Sequence, residues 1–158
     1  MAELSGGARK VQEALAAKGL DCEVVEMPAT TRTAEEAAAA IGCKLEQIAK
    51  SLVFKTRQTQ RPILVIASGK NRVNEKSLAE LIGEPIDKAD ADFVRECTGF
   101  AIGGVPPLAH AQPIQTVIDQ DLLAFDGIWA AAGTPHAVFA LAPSDLVKIT
   151  GGKCVEVI

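Results

Sequence analysis

Two short apolar runs, Lys50-Ser-Leu-Val-Phe-Lys55 and Pro62-Ile-Leu-Val-Ile-Ala67, are separated by only six residues. A connection that short joins strands only antiparallel, so the two runs predict a hairpin. The second run does not alternate. Five apolar residues in succession after Pro62 describe a strand buried on both faces, and both faces must then be covered by other elements. Helical covers are available on either side. Ala8, Val11 and Leu15 recur at helical spacing between Ser5 and Gly19. Thr33 and Glu36 form a capping box before an alanine run stopped by Gly42. Asn74 to Gly83 frames Leu78, Leu81 and Ile82, and Phe93, Val94 and Cys97 precede Gly99.

Other strands are expected at residues 20–27, up to Pro28, and at 100–102, 114–118, 128–131, 137–141 and 154–158, short apolar stretches set between Gly, Pro or Asp clusters. Residues 143–149 read as a helix with proline in its first turn. The tight connection after Ala131 predicts a second antiparallel pair. Interleaved helices and strands with such hairpins make an α+β domain with a mixed sheet. With 158 residues, 48% of them hydrophobic, one core suffices and neither disulfides nor a structural metal is needed. Cys22, Cys43, Cys97 and Cys154 lie 21, 54 and 57 residues apart, a spacing of reduced thiols rather than of a zinc or redox pair. The N-terminus has no signal-peptide character and no run is long enough to span a bilayer, which places the chain in the cytoplasm as an expectation.

The net charge is −4, yet residues 44–76 hold eight basic side chains against Glu46 and Glu75, a local surplus of +6. Lys44, Lys55, Arg57, Arg61, Lys70, Arg72 and Lys76 are therefore candidates for phosphate contacts, although a solvated basic face gives the same count. Familiar motifs are missing: Leu64 and Asn71 break the phosphate-loop pattern around Gly69-Lys70, and two histidines without paired cysteines do not make a zinc site. Three stretches can carry chemistry. Lys50 shares a strand face with Leu52 and Phe54, so an ammonium at an apolar strand end asks for an anionic partner, unless it snorkels to water. Gly103-Gly-Val-Pro-Pro107 is a rigid loop whose backbone amides can hold a developing oxyanion, or an ordinary turn. Gly133-Thr-Pro-His136 sets a histidine just before a strand, or simply in a solvated loop.

In this order, Ile48-Ala-Lys-Ser-Leu-Val-Phe54, Gly103-Gly-Val-Pro-Pro107, Gly133-Thr-Pro-His136 and Leu141-Ala-Pro-Ser-Asp-Leu146 resemble the freestanding aminoacyl-tRNA deacylases of the YbaK/ProX type, similar to the editing domain of bacterial prolyl-tRNA synthetase. The resemblance runs from about Ala8 to Val157. It implies a single editing domain over residues 1–158, with a mixed, mostly antiparallel, barrel-like sheet and surrounding helices. It implies hydrolysis of the ester in mischarged proline tRNA bearing Ala, Ser, Thr, Cys or 2-aminobutyrate, without cofactor or metal. Lys50 matches the family's essential lysine, and Gly103 and Gly104 its oxyanion loop. Ser51, Met27, Thr31, Val105, Pro107, Gly133, Thr134 and His136 would shape the pocket. The basic residues would meet the acceptor stem and 3′ end, and prolyl-tRNA synthetase is the protein partner suggested. Two other readings stay open: a non-catalytic aminoacyl-tRNA or synthetase-binding module, and a small-nucleotide or ester hydrolase.

Overall fold

The computed structural model describes residues 4–158; Met1, Ala2 and Glu3, part of the N-terminus read above for targeting, lie outside them. Among the described residues five α-helices form: α1 Gly6–Ala17, α2 Ala34–Ile41, α3 Glu75–Ile82, α4 Ala91–Thr98 and α5 Pro143–Thr150. Their ends follow the capping chemistry of the sequence. Thr33 accepts the Glu36 N–H while the Glu36 carboxylate accepts the Thr33 N–H, and Asn74 and Asp90 cap α3 and α4 through the Ser77 and Phe93 N–H groups. Gly42, Gly83, Gly99 and Gly151 close α2 to α5 in the left-handed conformation. Ser5 flanks α1 without a side-chain cap; its N–H instead reaches the Glu26 carboxylate at 2.7 Å.

Eight strands make one sheet: β1 Val24–Glu26, β2 Ile48–Thr56, β3 Pro62–Ser68, β4 Ile86–Lys88, β5 Gln115–Asp119, β6 Ile128–Ala131, β7 Ala137–Leu141 and β8 Lys153–Val155. The order is β1-β7-β6-β2-β3-β5-β8, with β4 also on β2. The predicted hairpins β2–β3 and β6–β7 are antiparallel, as are β1–β7 and β2–β4, whereas β2–β6, β3–β5 and β5–β8 are parallel. The sheet is mixed but not closed: β1 and β8 end it on opposite sides, so the barrel expected from the resemblance stays open.

The unbroken apolar run of β3 explains the layering. Leu64 and Ile66 pack with Ala8, Val11 and Leu15 of α1 and with Phe139 on one face. Ile63, Val65 and Ala67 pack with Phe54, Leu78 of α3 and Val117 on the other. All five residues from Ile63 to Ala67 are fully buried.

Two strand expectations need correction, and one strand was not expected. Residues 100–102 form no strand: Thr98 accepts the Phe100 N–H and turns the chain, burying Phe100 while leaving Ile102 52% exposed. The strand expected from Leu20 up to Pro28 forms only over Val24–Glu26; it starts late because Gln12 of α1 occupies the Cys22 carbonyl and the Val24 N–H. β4, with one buried residue in three, carries too little pattern to be read from sequence.

Candidate active site

The site sits where the sheet splits. On one edge β2 pairs with β6 only at Ile48 and Ala49, and with β4 only from Phe54 to Thr56. Between these ladders residues 50–52 face no strand on that edge, among the described residues; the Ala89 N–H reaches the Val53 carbonyl just beyond. The chain after α4 lays Ile102, Gly103 and Val105 over the gap. Two adjoining cavities result, of about 190 and 370 Å³, and both are lined by Lys50, Ser51, Leu52, Ile102, Gly103 and Val105. The smaller extends toward Thr31, Ala34, Ala37, Trp129 and Val138, and the larger toward Arg72, Glu75 and Lys88.

Lys50 pairs with Ala67 of β3 and lies on the Leu52 and Phe54 face, as the strand alternation predicts. It is half-buried, and its ammonium donates to the Gly69 carbonyl at 3.4 Å. Burial pushes its pKa below the ordinary lysine value, an effect that the negative charges of Glu35 and Asp119 oppose. Ser51 points to the opposite face, and its hydroxyl is buried with no hydrogen-bond partner among the described residues. No histidine or carboxylate holds that hydroxyl, so it is equipped to contact a ligand rather than to act as an activated nucleophile.

The glycine loop is shaped by two close approaches. Gly103 adopts φ +91°, and a Cβ there would stand 2.4 Å from Cγ of Arg32. A Cβ on Gly104 would meet the backbone of Thr134 at 2.8 Å. The structure separates the roles of the two glycines. The Gly104 N–H closes a turn on the Ala101 carbonyl and its carbonyl accepts the Gly133 N–H, so Gly104 anchors the loop and has no amide left for a substrate. The N–H groups of Gly103 and Val105 meet no acceptor among the described residues.

The other predicted pocket residues form the frame beneath this loop. Thr31 lines the smaller cavity and ties its N–H and hydroxyl to the Pro135 carbonyl, while the Met27 N–H donates to the His136 carbonyl. His136 is exposed, its ring 3.4 Å from the Ala29 carbonyl, and Met27, Pro107, Gly133, Thr134 and His136 line neither cavity. Pro107 is buried beyond the loop, where His110 donates through Nε2 to the Pro106 carbonyl at 2.6 Å. Burial pushes the His110 pKa below its ordinary value, against the opposing effect of the Pro106 hydrogen bond. The unfolded chain then binds this proton more readily than the folded one, so stability falls as pH drops from the unfolded histidine range toward the lower folded pKa. Thermal melts at pH 7.5 and 5.5 should show a loss on acidification that His110→Gln, which keeps a donor without titrating, largely removes.

The basic segment divides. Arg57 pairs with Asp87 at 2.9 Å and Arg61 with Glu84 at 3.4 Å, while Lys55 lies 5.0 Å over the Phe93 ring. Arg57, just past the end of β2, is also seven residues from Lys50, roughly 23 Å away along the extended chain. The structure does not bring Arg57 and Arg61 to the cavities. Lys44, Lys70, Arg72 and Lys76 are exposed, and of these only Arg72 lines a cavity. Arg32, Ile102, Trp129 and Lys88 also line the site and were not singled out from sequence; each is a lone residue in no motif, and only the fold delivers it.

Fold and site together define a mixed α/β domain that encloses a small cavity between a half-buried lysine and a glycine loop. Residues 28–149 match the aminoacyl-tRNA editing domain, and the chain belongs to that family. It is 31% identical over 131 residues to the uncharacterized protein YwhH of Bacillus subtilis, covering 83% of each. A crystal structure provisionally described as a trans-editing enzyme for prolyl-tRNA synthetase superposes with a TM-score of 0.91 at 46% identity, over 98% of both chains. The proline–tRNA ligase of Xanthomonas campestris is 32% identical over 109 residues; the match takes in 68% of this chain and 19% of the ligase.

Proposed function

We propose that the chain is a trans-editing hydrolase that cleaves the ester of mischarged tRNA, proline tRNA bearing Ala, Ser, Thr, Cys or 2-aminobutyrate. The observation that carries this reading is that Lys50 lines one small, largely apolar cavity together with Gly103 and Val105, two residues whose N–H groups meet no acceptor among the described residues. Family membership and the structural neighbour support it. A synthetase pocket discriminates against a similar amino acid by only ~1–3 kcal/mol per methylene, which is why a second hydrolytic sieve is useful.

In this mechanism water attacks the aminoacyl carbonyl carbon. The charge that builds on the carbonyl oxygen is met by the Gly103 and Val105 N–H groups, and the acyl C–O bond breaks. The ribose oxygen leaves and takes up the proton that the attacking water gives up, and the amino acid departs with the water oxygen in its carboxyl group. Lys50 keeps two N–H bonds beyond the one on Gly69, enough to hold the terminal phosphate or orient the ester. Ser51 gives its unpartnered hydroxyl to the 3′ end, and the smaller cavity receives the amino-acid side chain.

The test is a panel of proline tRNAs charged with Pro, Ala, Ser, Thr, Cys or 2-aminobutyrate. Rapid loss of one or a few non-proline esters, with Pro-tRNA spared, is the expected result. Survival of every ester at the buffer rate would sink the reading and leave a binding module or a hydrolase of small esters. For affinity, Arg72→Ala and Lys88→Ala should each weaken tRNA binding and reduce the salt slope by about one. Arg57→Ala removes a guanidinium already spent on Asp87 and should move neither quantity.

A further inference from the structure

We propose that Asp119 is a positioning residue for Lys50, acting through the turn from Ser68 to Asn71. The proposal rests on the reading of Lys50 as the group that faces the substrate. Asp119 ends β5 and is 1% exposed, although it lies within neither cavity. A carboxylate taken out of water is expensive unless donors surround it. Here its Oδ2 accepts the Ser68 N–H at 2.9 Å and the Asn71 amide at 2.8 Å, and its Oδ1 accepts the Asp121 N–H at 2.9 Å.

Two of these three donors belong to the turn that supplies the acceptor for Lys50. The Gly69 carbonyl takes the Lys50 ammonium, and the Gly69 N–H is fixed on the Ile48 carbonyl. The Asn71 N–H closes the turn on Ser68, and the Ser68 hydroxyl reaches the Glu46 carbonyl. A Cβ on Gly69 would lie 2.4 Å from the Leu45 carbonyl oxygen, so the turn is wedged against the segment that leads into β2. Asp119 is thus the buried anchor of a turn whose visible product is one lysine orientation.

Sheet geometry adds a direct link. Lys50 lies opposite Ala67, which shares its face with Val117, and Asp119 follows Val117 by two residues onto that same face. One strand, β3, stands between them, so two strand spacings, roughly 10 Å, separate the backbones. At that separation the carboxylate favours the charged amine without occupying it, as a direct ion pair would. Other charged groups face Lys50 as well. Glu35 of α2 acts in the same sense, Arg32 precedes α2, Arg72 comes from the connection between β3 and α3, Glu75 from the start of α3, and Lys88 from β4.

The test uses the full chain, ¹⁵N-labelled on lysine, with the Lys50 side chain titrated by NMR and the pH profile of deacylation measured in parallel. Asp119→Asn keeps the shape and removes the charge. It should move the Lys50 titration and the alkaline limb of kcat/KM together to lower pH, and reduce kcat roughly tenfold. Asn71→Ala leaves the carboxylates of Asp119 and Asp121 in place but strips the amide that donates to both, so Lys50 should titrate at higher pH than in the wild type. Opposite shifts support the proposal. If both variants leave the titration and the alkaline limb in place, whatever happens to Tm, Asp119 is only a cap on the turn and the proposal falls. Should Asp119→Asn fail to fold, Asn71→Ala decides alone by the same criterion. The titration needs no substrate, so a wild-type protein inactive on every charged tRNA would overturn the editing reading while Asp119 was still judged.

Discussion

Lys50→Ala is expected to lower kcat/KM for the preferred mischarged tRNA by about 10²- to 10³-fold, while Tm stays within about 3 °C of the wild type. The two halves of this prediction share one cause. The Lys50 amine is held where burial disfavours its charge and where its only hydrogen-bond acceptor among the described residues is the Gly69 carbonyl. The fold therefore gains little from the ammonium, and its removal exposes no cavity in either core, because the side chain opens into the two cavities at the split in the sheet. A reacting ester with a phosphate nearby gains a great deal: in a site partly closed to water, a fixed positive charge interacts far more strongly than in bulk solvent. Lys50→Arg should not rescue the rate, since a planar guanidinium directs its donors differently from a point ammonium. Single-turnover hydrolysis and a thermal melt on the same preparations check both halves. A parallel fall in rate and Tm would mean that Lys50 is structural and that its proposed role is wrong.

What the sequence disclosed about this site and what it hid have different physical origins. Capping boxes, glycine stops and hairpin connections are local, so α2, α3, α4, β6 and β7 were readable from a few neighbouring residues. The alternation of β2 likewise puts Lys50 on one face with Leu52 and Phe54, as the fold does. The split of β2 between two partners was not readable, because it depends on where β6 and β4, dozens of residues away, begin and end their pairing. That split creates the cavities. Charge was misleading for a related reason. Arg57 and Arg61 contributed to the basic surplus, but their carboxylate partners Asp87 and Glu84 lie 30 and 23 residues further along. Only the packing of β4 and the turn before it against the β2–β3 hairpin cancels those charges. In the glycine loop, sequence alone offered every amide from 103 to 105 as a donor, and the fold commits the middle one to Ala101.

That commitment makes Gly104→Ala the more damaging of the two loop substitutions, with an expected loss of about 100-fold in the rate of deacylation. At Gly103 the obstruction to a Cβ is the aliphatic stem of Arg32, an exposed side chain that can swing aside, leaving the positive φ as the main penalty. At Gly104 the obstruction is the carbonyl carbon of Thr134 at 2.8 Å, with the Thr134 Cα at 3.0 Å, and neither can rotate away. Thr134 is itself held, since the neighbouring Gly133 donates to the Gly104 carbonyl and approaches Gly7 of α1 so closely that a Cβ on Gly133 would stand 2.5 Å from the Gly7 oxygen. The added methyl must therefore push the glycine loop outward from residues 133–134, stretching the Gly104–Gly133 hydrogen bond and displacing the Gly103 and Val105 amides that flank it. Amides aimed at a developing oxyanion lose most of their effect with a shift of about 1 Å, and overpacking of this kind costs about 1–3 kcal/mol of stability. Gly103→Ala should retain substantially more activity than Gly104→Ala at similar Tm. Equal and mild effects from both would mean that the loop amides do not carry the oxyanion, and the charge would then have to be met by Lys50 alone.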